Sequence, residues 1–184
     1  FINYWRIIDK KILLCFFILF FLGIFFSFSS TSSLAGERLN KDYYFFFTKH
    51  LFFTLLAISI MLTISLIKTE LLIKLVFPIF LISFILLAMV PIIGVEVKGA
   101  KRWLNLYFFN LQPIEILKPF FILMTVKILT YDKFHNTQVK YFLSFLLLCS
   151  IIVLLIDQPD LGQSILLIGS WIATVFISGI SLVF

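Results

Sequence analysis

The sequence predicts an all-α membrane protein: a polytopic bundle of about six transmembrane helices, forming one membrane domain over residues 1–184. Three observations carry this. The chain is 62% hydrophobic and only 13% charged, whereas soluble domains are about half apolar and about a quarter charged. Its apolar residues gather into six runs near the length of roughly 20 residues needed to cross a bilayer core about 30 Å thick. Most of its charged residues fall between those runs. Helices are the expected structure, because each backbone polar group in lipid must be satisfied within its own segment.

The six runs, in order, are 12–30, 50–67, 71–93, 113–129, 141–156 and 162–184. The third carries Lys74 near its start and Pro78, which should bend it. The fourth carries Glu115 and Lys118. In the sixth, Ser170, Thr174 and Ser178 recur every four residues, a spacing of small side chains that marks a close helix–helix face. The connections are short, and 94–112 is the longest chemically rich one. No internal repeat or low-complexity linker interrupts the pattern. The run 12–30 is long for a signal peptide and is followed by further spans, so no cleaved leader is expected.

Net charge is +6. In a soluble protein that would suggest nucleic acid. Here the cations flank apolar runs, so membrane lipid or lipid phosphate is the expected partner and nucleic acid is not. No Gly-rich phosphate loop or zinc-type Cys/His cluster appears. Cys15 and Cys149 lie inside apolar runs and read as small buried hydrophobes. His50 and His135 sit at run edges and read as interfacial. The 25 Phe residues read as coding bias and as filling of lipid-facing and interhelical space.

Orientation follows from the Lys and Arg residues in the loops. With the amino terminus inside, eight basic residues lie inside (Arg6, Lys10, Lys11, Lys68, Lys74, Lys127, Lys133, Lys140) and six outside (Arg38, Lys41, Lys49, Lys98, Lys101, Arg102). Three of the eight precede the first span, which often dominates topology. On this choice 94–112 and 157–161 face the same, outer side.

Three segments carry chemistry. In Lys98-Gly99-Ala100-Lys101-Arg102-Trp103 three cations and an indole lie within six residues. Lys and Arg bind phosphate, Arg through a planar fork of donors. Gly99 permits positive φ or close backbone approach, and Trp103 can lie at headgroup level or on a sugar face. The segment suits an anionic headgroup site, and equally an ordinary interfacial loop with an aromatic anchor. In Gln112-Pro113-Ile114-Glu115-Ile116-Leu117-Lys118-Pro119, Pro113 suits a first helical turn. Glu115 and Lys118 share a face three residues apart, and Pro119 should kink the helix. An unpaired charge in a span costs about 2.5–3.5 kcal/mol on insertion scales, so the pair is expected either to tie helices together or to line a polar cavity. In Asp157-Gln158-Pro159-Asp160-Leu161-Gly162-Gln163 the carboxylates suit a capped turn. They could also balance the basic loop or help hold a divalent cation, but a lone D-x-x-D asserts no metal site.

The segments KGAKRWLNL (98–106), LQPIEILKP (111–119) and DQPDLGQS (157–164), in this order and spacing, resemble the SEDS family of shape, elongation, division and sporulation proteins. The opening WRIIDKKILL, the following SSTSSLAGERL and the EVKGAKRW form of the loop are more similar to the division branch than to the elongation branch. Ile114 departs from the Ser or Ala common beside the family's Glu.

The resemblance implies a ten-span fold, of which this chain matches the amino-terminal half. It implies a peptidoglycan glycosyltransferase of the inner membrane, at the division septum. Such an enzyme joins lipid II units into glycan strands and releases undecaprenyl pyrophosphate. It would work with a class B penicillin-binding protein and other divisome proteins. The implied substrate-binding set is Lys98, Lys101, Arg102, Trp103, Gln112, Glu115, Lys118, Gln158 and Asp160. Glu115 and Lys118 form its intramembrane pair, and Gln158 and Asp160 its outer edge. The family's proposed catalytic aspartate lies in a loop of the carboxy-terminal half, so no catalytic residue is assigned here and the chain alone is expected to be inactive. No cofactor is asserted, and a divalent cation is left open. Two other readings stay open: a lipid II flippase, and a truncated remnant without function.

Overall fold

The computed structural model describes residues 9–31, 44–97, 99–106, 109–131 and 136–179. These contain six helices: α1 (Lys10–Thr31), α2 (Phe45–Ser65), α3 (Thr69–Ile93), α4 (Pro113–Leu129), α5 (Thr137–Ile156) and α6 (Leu161–Ile177). The polytopic helical class stands. Four of them, α1, α2, α3 and α5, are long and apolar enough to cross a membrane. The other two have 17 residues each, about 25 Å at 1.5 Å per residue. Residues 180–184 of the sixth apolar run lie outside the described residues. Contacts divide the chain into two compact units, Phe1–Thr69 and Glu70–Phe184.

In the first unit α1 packs on α2. Asp9 starts α1 by accepting from the backbone N–H groups of Lys11 (2.9 Å) and Ile12 (3.3 Å), which satisfies two donors that the first turn leaves unpaired. Phe28 of α1 stacks on Tyr44 and meets Phe47 of α2 edge-on. Along α2 the hydroxyls of Ser59 and Thr63 donate to carbonyls one turn back, so they need no partner from another helix. Most of both helices is exposed apolar surface, such as Phe21, Phe26 and Phe52, as expected of segments solvated by lipid. Cys15 is among the exposed residues. It was expected buried, but most of α1 is exposed apolar surface, which suits a helix solvated by lipid.

The second unit holds the core. Phe80 and Leu87 of α3, Ile114, Leu117 and Phe121 of α4, Leu148, Ile151 and Leu155 of α5, and Leu167 of α6 form one buried cluster. The buried positions recur at steps of three or four: 76, 80, 83, 87, 90 on α3, 144, 148, 151, 155 on α5, and 114, 117, 121, 125 on α4. That is one stripe per helix. Small polar residues sit in each stripe and let the helices approach, with dispersion and interhelical hydrogen bonds replacing the hydrophobic drive that lipid removes. Trp171 Nε1 donates to Ser144 Oγ at 3.2 Å, joining α6 to α5. The buried line of α6 runs through Ser164, Leu167 and Val175. Ser170 and Thr174 only flank it, and Ser178 is exposed. Their hydroxyls bond to their own helix's carbonyls, so the small-residue spacing marks the shoulder of the interface rather than its centre.

The segment 94–112, expected as a loop, contains a three-stranded antiparallel sheet: β1 (Val95–Val97), β2 (Ala100–Asn105) and β3 (Asn110–Leu111). Val97 pairs with Ala100, and Gly99 beside them has φ +80°, a conformation that costs glycine nothing. Glu96 pairs with Lys101 and Val95 with Trp103, so the register skips Arg102. Arg102 therefore sits in a β-bulge, a device that re-aims a side chain.

Candidate functional site

The α5–α6 turn is the centre of the site. Leu155 O accepts from the N–H groups of both Gln158 and Asp160, closing the end of α5. Asp160 is the N-cap of α6, and its Oδ1 accepts from Gln163 N at 3.4 Å. Its own carbonyl accepts from Ser164 N and Oγ. The helix dipole favours a carboxylate here, which helps to offset its near-complete burial.

Arg102 reaches this turn from the bulge. Its Nε donates to Gln158 O (3.1 Å) and its Nη2 to Pro159 O (2.6 Å). The Nε also lies 3.7 Å from Asp160 Oδ2. Two of the five guanidinium donors are thus committed to backbone carbonyls, and the side chain pins the sheet to the turn. On the other side of Asp160, Gln112 Nε2 donates to the same Oδ2 at 3.5 Å. Gln112 is the N-cap of α4, with Pro113 in the first helical turn.

One turn into α4, Lys118 Nζ lies 2.7 Å from Glu115 Oε2. The pair expected from the three-residue spacing is therefore formed. A third member closes a ring with it: Gln163 Oε1 accepts from Lys118 Nζ (2.9 Å), and Gln163 Nε2 donates to Glu115 Oε1 (2.9 Å). Gln163 was not anticipated as a site residue. Its local signal was the Asp160-x-x-Gln163 spacing of a capping box, yet its side chain spans to α4 instead of returning to the cap. The ammonium has three donors, of which one goes to Glu115 and one to Gln163. Lys118 keeps one N–H for a further acceptor.

The remaining expected residues divide. Lys101 is exposed and forms no ion pair with a described residue. Trp103 is half-buried beside it on β2. Gln158 is buried, and its Nε2 donates to Leu87 O of α3 at 3.3 Å. Lys98 lies outside the described residues, as does His135. Among the described residues no three His, Cys, Asp or Glu side chains gather where they could hold a metal ion. The arrangement can present cationic donors, Lys101, Lys118 and the uncommitted side of Arg102, to an anion.

Residues 9–184 match a family model for FtsW, RodA and SpoVE, described as cell cycle proteins. A curated relative from Pasteurella multocida (strain Pm70), named probable peptidoglycan glycosyltransferase FtsW, is 30% identical over 178 residues, covering 93% of this chain and 44% of the relative. The crystal structure of the Thermus thermophilus rod shape determining protein RodA is 27% identical, with a TM-score of 0.65 over 85% of this chain and 53% of that one. A structure described under polymerization and crosslinking by a peptidoglycan synthase complex shares the fold, with a TM-score of 0.74 at 24% identity over 90% of this chain and 47% of that one. The chain thus spans about half the length of the proteins it matches. It belongs to the FtsW/RodA/SpoVE family of cell cycle proteins.

Proposed function

We propose that the full-length protein containing this chain is a peptidoglycan glycosyltransferase that polymerises lipid II into glycan strands for the division septum. In this reading residues 1–184 supply one wall of the substrate site. Family membership and the name its relatives carry support the activity. The observation that carries the role of this half is the convergence of three distant segments, through Arg102, the Glu115–Lys118–Gln163 ring and Asp160, into one polar network at the starts of α4 and α6. A lipid-linked pyrophosphate needs an apolar surface for its tail and fixed cations for its phosphates. Lys118 is a cation already held in place with a donor to spare, and Lys101 stands exposed on the sheet. Both can stabilise charge on a leaving pyrophosphate. The general base that activates the acceptor hydroxyl comes, in this reading, from the carboxy-terminal half of the family fold. The amino terminus is cytoplasmic, which puts the sheet and the α5–α6 turn at the outer face, where lipid II is used. In this reading the partner is a class B penicillin-binding protein, as the resemblance of the three motif segments implies.

The test is polymerisation of labelled lipid II by the full-length protein reconstituted with its penicillin-binding partner. Wild type is expected to make strands, and folded Lys118→Ala and Glu115→Ala variants to lose most of that activity. No strands from an intact, partnered wild type would contradict the reading, and a lipid II translocation assay would then decide for a flippase.

A further inference from the structure

Each of the three prolines inside α3 and α4 removes the N–H that would bond the carbonyl four residues earlier. Pro78 frees Lys74 O and Pro119 frees Glu115 O, both on exposed residues where other donors can reach. Pro91 frees Leu87 O, and Leu87 is fully buried in the core. A buried carbonyl with no donor is costly, and neither water nor lipid can serve it there. The donor that arrives is the Gln158 side chain, 71 residues away, with Nε2 at 3.3 Å from Leu87 O. Helical bonding resumes beyond the gap, where Gly94 N donates to Val90 O at 2.8 Å.

We infer that Gln158 is a positioning residue rather than a substrate ligand: its amide replaces the hydrogen bond lost at Pro91 and so fixes the α5–α6 turn against α3. The same residue's carbonyl accepts from Arg102 Nε, and two residues on Asp160 caps the helix that carries Gln163. Holding Gln158 therefore sets where Arg102 and, through Gln163, Lys118 stand. Pro91 and Gln158 act as one unit, and restoring the backbone N–H at position 91 should make the Gln158 amide dispensable.

The experiment is a double-mutant cycle on the full-length protein with Q158L, P91A and P91A/Q158L. It has two readouts: thermal unfolding in detergent, and lipid II polymerisation with the penicillin-binding partner. The polymerisation arm rests on the proposed function, whereas the unfolding arm does not. Q158L alone is expected to lower polymerisation about tenfold and the unfolding midpoint by about 3 °C. P91A alone should stay within about twofold of wild type, and the double variant within about threefold of P91A, because the position 91 N–H now serves Leu87 O. If the Gln158 amide instead held substrate, a backbone donor inside α3 could not take its place. A double variant as impaired as Q158L, or worse, in unfolding overturns the inference. If Q158L does not fold, recovery of folded protein in P91A/Q158L is the expected result, and its absence overturns the inference equally. An inactive wild type would count against the glycosyltransferase reading alone, leaving the unfolding cycle to decide.

Discussion

Replacing Gln163 with Leu keeps the side chain's approximate volume and removes both of its polar atoms. The structure sets the expected cost. Gln163 makes two hydrogen bonds of 2.9 Å, one from the Lys118 ammonium and one to the Glu115 carboxylate. A hydrogen bond to a charged group contributes about 1.5–3 kcal/mol when shielded. The two ends differ in shielding. The Glu115 side chain is 51% exposed, so water replaces the lost donor there at little cost. Lys118 is only 17% exposed, so most of the loss falls on it. A destabilisation of about 1–2 kcal/mol follows, or a fall of a few degrees in the unfolding midpoint. The assay is thermal unfolding of the purified protein, with Gln163→Leu, Lys118→Met and the double variant compared. Residues that act through one another are not additive, so Lys118→Met with Gln163→Leu should be barely less stable than Lys118→Met alone. Additive losses, or a Gln163→Leu midpoint equal to wild type, would refute the ring as a coupled unit.

Arg102→Lys keeps the charge but loses the fork that reaches Gln158 O and Pro159 O together. It should destabilise by about 1 kcal/mol and lower polymerisation, against little effect for a residue that served only as a charge; unfolding and strand synthesis measured side by side check this. Asp160→Asn retains a good N-cap oxygen and should cost less than Asp160→Ala, which loses the cap at about 1–2 kcal/mol. Equal midpoints for the two variants would show that the cap is not what Asp160 supplies.

The six helices were legible because a bilayer imposes a length and an apolarity that read directly from composition. Their boundaries were less so. α5 begins at Thr137 rather than 141, since a helix can start among polar residues once a cap such as Asn136, which accepts from Gln138 N, closes its first turn, and α2 begins at Phe45 rather than 50, taking in three Phe residues ahead of Thr48 and Lys49. The Glu115–Lys118 pair was legible because three-residue spacing fixes a shared helical face. The sheet in 94–112 was not, although the alternating Val-Glu-Val shortly before Gly99 is a strand signal; a search for long apolar runs passes over strands this short. The bulge that turns Arg102 to the α5–α6 turn depends on cross-strand register. The links of Gln163 to α4 and of Gln158 to Leu87 join residues 48 and 71 apart, and no local pattern encodes them. The gap at Pro91 was present in the sequence, but which side chain fills it is decided only by the packing of α5 against the other helices.

The central proposal, that the sheet and the start of α4 form a wall of the lipid II site, is tested most directly by photo-crosslinking. A benzophenone amino acid would be placed at Trp103 in the full-length protein, with labelled lipid II in the membrane and irradiation before polymerisation. The same probe at Phe142, an exposed residue of α5, serves as the lipid-facing control. A labelled adduct at position 103, suppressed by excess unlabelled lipid II and absent at 142, is the expected result. No adduct at 103, or equal and unsuppressed adducts at both positions, would contradict the account.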